Sequence, residues 1–229
     1  MLKFDKFSHC YKNIHTEQEY TSATTFISKF KKKFDADFHA KRVAEKEGVT
    51  PEEIKERWKK INSESKVRGS NIHSAIDDYN KTGDIDPEYK EVIESLESLK
   101  LYDRKNSKCE ELVYNHNYKL AGTADCIEDC GSTFNVYDFK TNKKFNLYSQ
   151  YKSFFLDPIS HLSECEYNTY SLQLSLYAFM YQSMTGMRVN QLGVMYYERE
   201  SNRFNYYPVP YLKNDILIML NYYEKNLLG

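Results

Sequence analysis

Glycine and proline are scarce in this chain, at 8 and 5 of 229 residues. That scarcity excludes a linker-rich or disordered protein. No Pro/Gly/Ser stretch divides the chain, and no internal repeat is present. Cysteine is sparse and odd in number: Cys10, Cys109, Cys126, Cys130 and Cys165, none in a CxxC pair. Such a set argues against a disulfide framework and is read as a reducing, cytoplasmic compartment. The opening residues, Met1 to Phe7, lack the apolar stretch of a signal peptide, and no Arg-rich leader is seen. No apolar run approaches the roughly 20 residues of a membrane span, so no membrane is expected among the partners. An excess of one charge is also missing, with 32 basic against 33 acidic residues and a net charge of -1. A chain that holds nucleic acid by bulk charge is usually strongly basic. Here any such contact requires a local basic surface or metal ions.

What the chain does have is aromatic and apolar bulk: 21 Tyr, 13 Phe and 41% hydrophobic residues. That is enough for one sizeable core. Thr21 to Thr25 form a capping-type cluster ahead of Phe26 and Ile27, followed by the basic cluster Lys29, Lys31, Lys32 and Lys33. A helix is expected over Asp37 to Gly48. Thr50-Pro51-Glu52-Glu53 marks another start, with Thr as N-cap and Pro at the first helical position. Ile54, Trp58 and Ile61 follow at helical spacing. Further helices are expected over Val67 to Asn80, ending near Gly83, and over Glu88 to Leu101. The texture then turns to strands: Glu110 to Tyr118, Lys119 to Glu128 and Thr133 to Lys140, the last two joined around Gly131. Tyr167 to Met184 reads as a strong amphipathic helix. Gln191 to Glu198 and Arg203 to Val209 read as a hairpin, and Asn214 to Leu228 as a closing helix. The order implies an α/β (α+β) fold, a sandwich around a mixed sheet. Residues 1–105 are expected to be mainly helical, and 106–229 to form the core.

Asp138-Phe139-Lys140 carries the chemistry. In a strand, residues i and i+2 share a face, so Asp138 and Lys140 project together. A carboxylate beside an ammonium at a strand end can hold a divalent metal and a phosphate side by side. The spacing alone is cheap, since Asp103-Arg104-Lys105, Glu53-Ile54-Lys55, Glu64-Ser65-Lys66 and Glu88-Tyr89-Lys90 share it. Only Asp138 to Lys140 ends an apolar strand, and even there a surface ion pair worth about 0–1 kcal/mol is an alternative. Asp125, on the preceding strand, is brought near Asp138 by the hairpin. Two such carboxylates repel unless a cation lies between them. Magnesium or manganese prefers these oxygen ligands. Such an ion lowers the pKa of water and neutralises charge on a phosphate. Lys140 is expected to orient that water or stabilise the transition state.

Gly122-x-x-Asp125, Asp138-x-Lys140 and a helix with Gln173-x-x-x-Tyr177 resemble, in that order, the RecB-type branch of the PD-(D/E)XK nucleases. Arg68-Gly69-Ser70-Asn71-Ile72-His73 resembles the upstream histidine motif of that branch. Ala124 stands where the family name has proline. Within the branch, the chain is similar to stand-alone exonucleases of mitochondrial genome maintenance and of phages. The resemblance implies a restriction-endonuclease-like core and one nuclease domain, its helical part binding substrate. It implies Mg²⁺ or Mn²⁺, held by His73, Asp125, Asp138 and the Phe139 carbonyl, with Glu111 as an outer ligand. Arg68, Ser70, Lys143, Gln173 and Tyr177 are the implied substrate contacts. DNA, single-stranded or end-frayed, is the implied partner, and an endonuclease or a non-catalytic DNA-binding protein the alternative. Iron–sulfur members of the branch need three cysteines near the C-terminus. Nothing after Cys165 is a cysteine, so no cluster is expected.

Overall fold

The computed structural model describes residues 2–5, 10–101 and 103–226. Strands β1 (Leu2–Asp5), β2 (Cys10–Asn13) and β3 (Glu19–Ser22) come first. Helices α1 (Ala23–Ser28), α2 (Ala36–Glu47), α3 (Pro51–Thr82) and α4 (Lys90–Ser98) follow. Then come β4 (Ser107–Asn115), β5 (Leu120–Asp129), β6 (Thr133–Lys140), α5 (Glu166–Thr185), β7 (Arg188–Glu198), β8 (Arg203–Val209) and α6 (Lys213–Asn226). Among the described residues, no helix is long and apolar enough to cross a membrane. Met1, Lys6 and Phe7, read above as part of the leaderless opening, and Leu228 of the expected closing helix lie outside the described residues.

The eight strands form one mixed sheet, as the α+β expectation requires, in the order β1-β2-β3-β5-β6-β7-β8 with β4 also on β5. β6 and β7 run parallel with α5 between them in the chain. Residues Phe134 to Phe139 of β6 are all buried, the pattern of a central strand covered on both faces. Their side chains divide between two cores. Phe134 and Val136 pack with α1, α5 and α6, while Tyr137 and Phe139 pack with Ile72 and Ile76 of α3 and Val92, Ile93 and Leu96 of α4.

Three expectations need correcting. Residues 1–105 are mostly helical but also contribute β1 to β3, strands of four residues each that are too short for a period-2 pattern to stand out. The two helices expected between Pro51 and Asn80 are one helix of 32 residues. A Thr50/Glu53 capping box opens it, and Gly83 closes it in a left-handed conformation at φ 83°. The polar stretch Asn62 to Lys66 holds no helix breaker, so α3 continues through it. Finally, α5 is not amphipathic. Ser171 through Ala178 are all buried, because the helix has the sheet on one side and α1 and α6 on the other. Its polar residues are satisfied internally. Ser171 donates to the Tyr167 carbonyl (2.8 Å), and Ser175 accepts from Leu212 N–H (2.9 Å).

Candidate active site

The site lies in a fork of the sheet. β5 and β6 pair from Asp129↔Phe134 to Cys126↔Tyr137 and no further. At the other end of the same edge, β3 pairs with Leu120 and Ala121. Where the β5–β6 ladder ends, a side chain takes over: Phe139 N–H donates to Asp125 Oδ2 at 2.8 Å. This bond fixes Asp125 against the strand that carries Asp138 and Lys140.

α3 passes over the fork and delivers His73. Its Nδ1 lies 3.6 Å from Asp125 Oδ1 and 3.9 Å from Glu110 Oε1. Its Nε2 is 2.9 Å from the Phe139 carbonyl. A carbonyl can only accept, so Nε2 carries the proton there and Nδ1 faces the carboxylates. Burial lowers the His73 pKa, but Asp125 and Glu110 more than reverse this and raise it to about 9. Glu110 sits on β4 with φ 52°, a left-handed conformation that is costly for a side-chain-bearing residue.

Asp138 and Lys140 form the other half. Asp138 is 1% exposed, and its Oδ2 lies 2.5 Å from Lys140 Nζ. At that distance the two form a buried ion pair. Burial raises the Asp138 pKa, Lys140 pulls it down, and the Asp125 charge pushes it up again, to about 6. Lys140 is itself largely buried. Desolvation opposes its charge, and the carboxylates of Asp138 and Asp125 outweigh that, so it stays an ammonium. Its Nζ lies 4.9 Å from the Tyr170 ring centre, a cation–π contact. From α5, Gln173 Nε2 donates to Tyr177 Oη (3.0 Å) and, weakly, to Asp138 Oδ1 (3.4 Å). The Tyr177 ring covers Gly122, where a Cβ would collide with it. This close approach gives the glycine of Gly122-x-x-Asp125 a physical reason.

No family model and no curated protein matches this chain. A solved structure described as the crystal structure of SSO0001 is similar at 15% identity and TM-score 0.44, covering 94% of this chain and 80% of that one.

The structure thus brings together His73, Asp125, Asp138, Lys140, Gln173 and Tyr177. It treats the other expected residues differently. Glu111 lies next to Glu110 in the strand, and its charge acts on Tyr181 of α5 instead. Glu110, one residue earlier, is the glutamate near His73 and Asp125. The Phe139 carbonyl accepts from His73. Ser70 lines an open groove with His73, Asp77 and Glu110. Arg68 lies earlier on α3, at a separate cavity, and Lys143 is exposed in the segment after β6. Glu110 and Tyr170 were not foreseen. The kink at Glu110 leaves no mark in the alternation of β4. Tyr170, however, shares its helix face with Gln173 and Tyr177 at i, i+3 and i+7, a spacing visible in the sequence.

The residues suit a hard divalent cation. The ligand atoms of His73, Glu110 and Asp125 all lie within 4.8 Å of one another. Buried Asp138, paired with Lys140, adds a further carboxylate beside them. A His ring that donates its other N–H to a backbone carbonyl is the usual arrangement for a metal-ligating histidine. Imidazole with carboxylates fits manganese or magnesium better than it fits soft, thiolate-preferring ions.

Proposed function

We propose that this chain is a metal-dependent DNA nuclease of the RecB-like PD-(D/E)XK type, acting as an exonuclease on single-stranded or frayed ends. One observation supports this most: His73, Glu110 and Asp125 converge beside the buried Asp138–Lys140 pair at a strand fork. Few purely structural roles call for three acids and a histidine around one lysine, because the acids repel one another. His73, Asp125 and Asp138 would hold Mg²⁺ or Mn²⁺, with Glu110 in the place expected of Glu111. Bound there, the ion supplies charge neutralisation at the phosphate and lowers the pKa of water.

The chain's own groups account for the rest. Lys140 holds a fixed positive charge for the oxygens of the phosphate as it passes through the transition state. Tyr170 and Asp138 keep that ammonium in place. Gln173, braced by Tyr177, orients Asp138. In the reaction a water oxygen bonds to phosphorus, and the bond from phosphorus to the sugar oxygen breaks. The departing oxygen takes up a proton, leaving a phosphate end and a hydroxyl end.

The test is digestion of linear and circular single-stranded DNA with Mg²⁺, Mn²⁺ or EDTA. The reading expects mononucleotides or short products from linear DNA, no cutting of circles, and no product in EDTA. Cutting of circles would turn the reading to an endonuclease. Products in EDTA would remove the metal from the account.

A further inference from the structure

We propose that Arg68 and Arg199 form a phosphate-binding subsite beside the candidate active site, taking one phosphate group of a nucleic-acid strand. The claim deepens the nuclease reading and rests on it. The two arginines come from distant parts of the chain, one from the middle of α3 and one from the turn after β7. Both line one open cavity of about 650 Å³, together with Tyr89 and Tyr197. That size lies within the range of small-ligand sites.

Neither arginine forms an ion pair among the described residues. Arg199 Nε and Nη2 donate to the Thr141 carbonyl at 3.1 and 2.5 Å, a neutral partner. Arg68 reaches only Ser65 Oγ, at 3.3 Å. Its Nε is buried with no hydrogen-bond partner among the described residues. Glu64 and Glu88 line the same cavity, yet neither closes on a guanidinium. Burial lowers the Arg199 pKa, and the Arg68 charge lowers it further.

Two partly desolvated like charges are held at a cost unless an anion joins them. Guanidinium forks match the oxygens of a phosphate, which offers several acceptors at once. The position also fits a strand passing the active site. Thr141, which anchors Arg199, directly follows Lys140, and Arg68 precedes His73 on the same helix. Tyr89, half-buried at the same cavity, offers ring surface for the sugar or base of the same nucleotide.

Two measurements separate this subsite from the nuclease reading itself. In EDTA, where no cleavage is expected, inorganic phosphate should raise Tm by about 2–4 °C, against chloride at matched ionic strength. Arg68→Gln should abolish that shift, and Arg68→Lys should keep part of it. A shift that is equal in wild type and Arg68→Gln would overturn the subsite, whatever the enzyme cleaves. With Mg²⁺, Arg68→Gln and Arg199→Gln should raise KM for single-stranded DNA about 10-fold or more, with kcat within about threefold. Each should also lower the salt slope of binding by about one. An effect confined to 5′- or 3′-phosphorylated ends identifies a terminal phosphate, and an equal effect on unphosphorylated strands identifies an internal one. Unchanged KM and salt slope in an active enzyme would contradict the proposal. A wild type that shows the phosphate shift but cuts no DNA would instead sink the nuclease reading.

Discussion

At the scale of single residues, the account turns on what each charge in the fork does. Asp138→Asn should lower cleavage by at least about 100-fold, the scale of losing a metal ligand or transition-state partner. Lys140→Ala should do the same. Lys105→Ala is the control. Its triplet has the same spacing, but Lys105 is exposed in a short 3₁₀ turn, Arg104–Asn106, so activity should stay within about twofold. Equal damage from Lys105→Ala and Lys140→Ala would mean the wrong triplet carries the chemistry. His73 gives a pH signature. Burial disfavours its charge, yet Asp125 and Glu110 raise its pKa to about 9 in the metal-free protein. The unfolded value is about 6.5. A group whose folded pKa is raised adds its full stability below the unfolded value and loses it as pH climbs through the folded one. In EDTA, His73→Gln should therefore lower Tm near pH 6 and have little effect near pH 10. A Tm difference that stays constant over that range would show that the imidazolium is not paired as described.

At the scale of elements, the Gly122–Tyr177 contact ties β5 to α5. Gly122→Ala pushes a methyl group into the Tyr177 ring and should cost about 1–3 kcal/mol in urea unfolding. In a Tyr177→Ala background the same change should cost far less, because the two sites share one contact. Equal costs in both backgrounds would separate the glycine from the ring. This level also shows what the sequence reveals. The β5–β6 hairpin, the start and end of α3 and the β7–β8 hairpin are legible, because turn glycines, a capping box and alternating residues mark them locally. Asp125, Asp138 and Lys140 are legible because two of them end an apolar strand. The rest depends on tertiary context. β1 to β3 pair with one another within residues 2–22 but are four residues each, and they join the sheet only where β3 meets β5, about a hundred residues on. Ser171, Gln173 and Ser175 look like surface positions in a helix until their partners at Tyr167, Asp138 and Leu212 are known. Arg199 and Arg68 line one cavity only because the chain after β7 lies beside α3, which no local window shows.

At the scale of the whole molecule, the near-zero net charge sets an expectation for DNA affinity. The Lys29–Lys33 cluster contributes less than its sequence suggests. Lys31 donates to Thr169 Oγ1 at 2.7 Å and lies 5.5 Å from the Phe155 ring centre, and burial lowers its pKa. Lys29 lies 5.8 Å from the Tyr223 ring centre. Lys29, Lys32 and Lys33 are exposed, and only Lys31 is partly buried. Binding of single-stranded DNA in EDTA should thus weaken only modestly with salt, with a log–log slope of about −1 to −3, a few phosphate contacts. A slope of about −6 or steeper would require a basic surface that these residues do not form. The central claim is that the fork at β5 and β6 hydrolyses DNA with a divalent ion. It is tested most directly by single-turnover digestion of end-labelled single-stranded DNA, comparing wild type with Asp138→Asn in Mg²⁺ and in EDTA. The account predicts cleavage by the wild type in Mg²⁺ alone, and a loss of at least about 100-fold in the variant with DNA binding retained. Cleavage that survives EDTA, or that Asp138→Asn leaves intact, would contradict it.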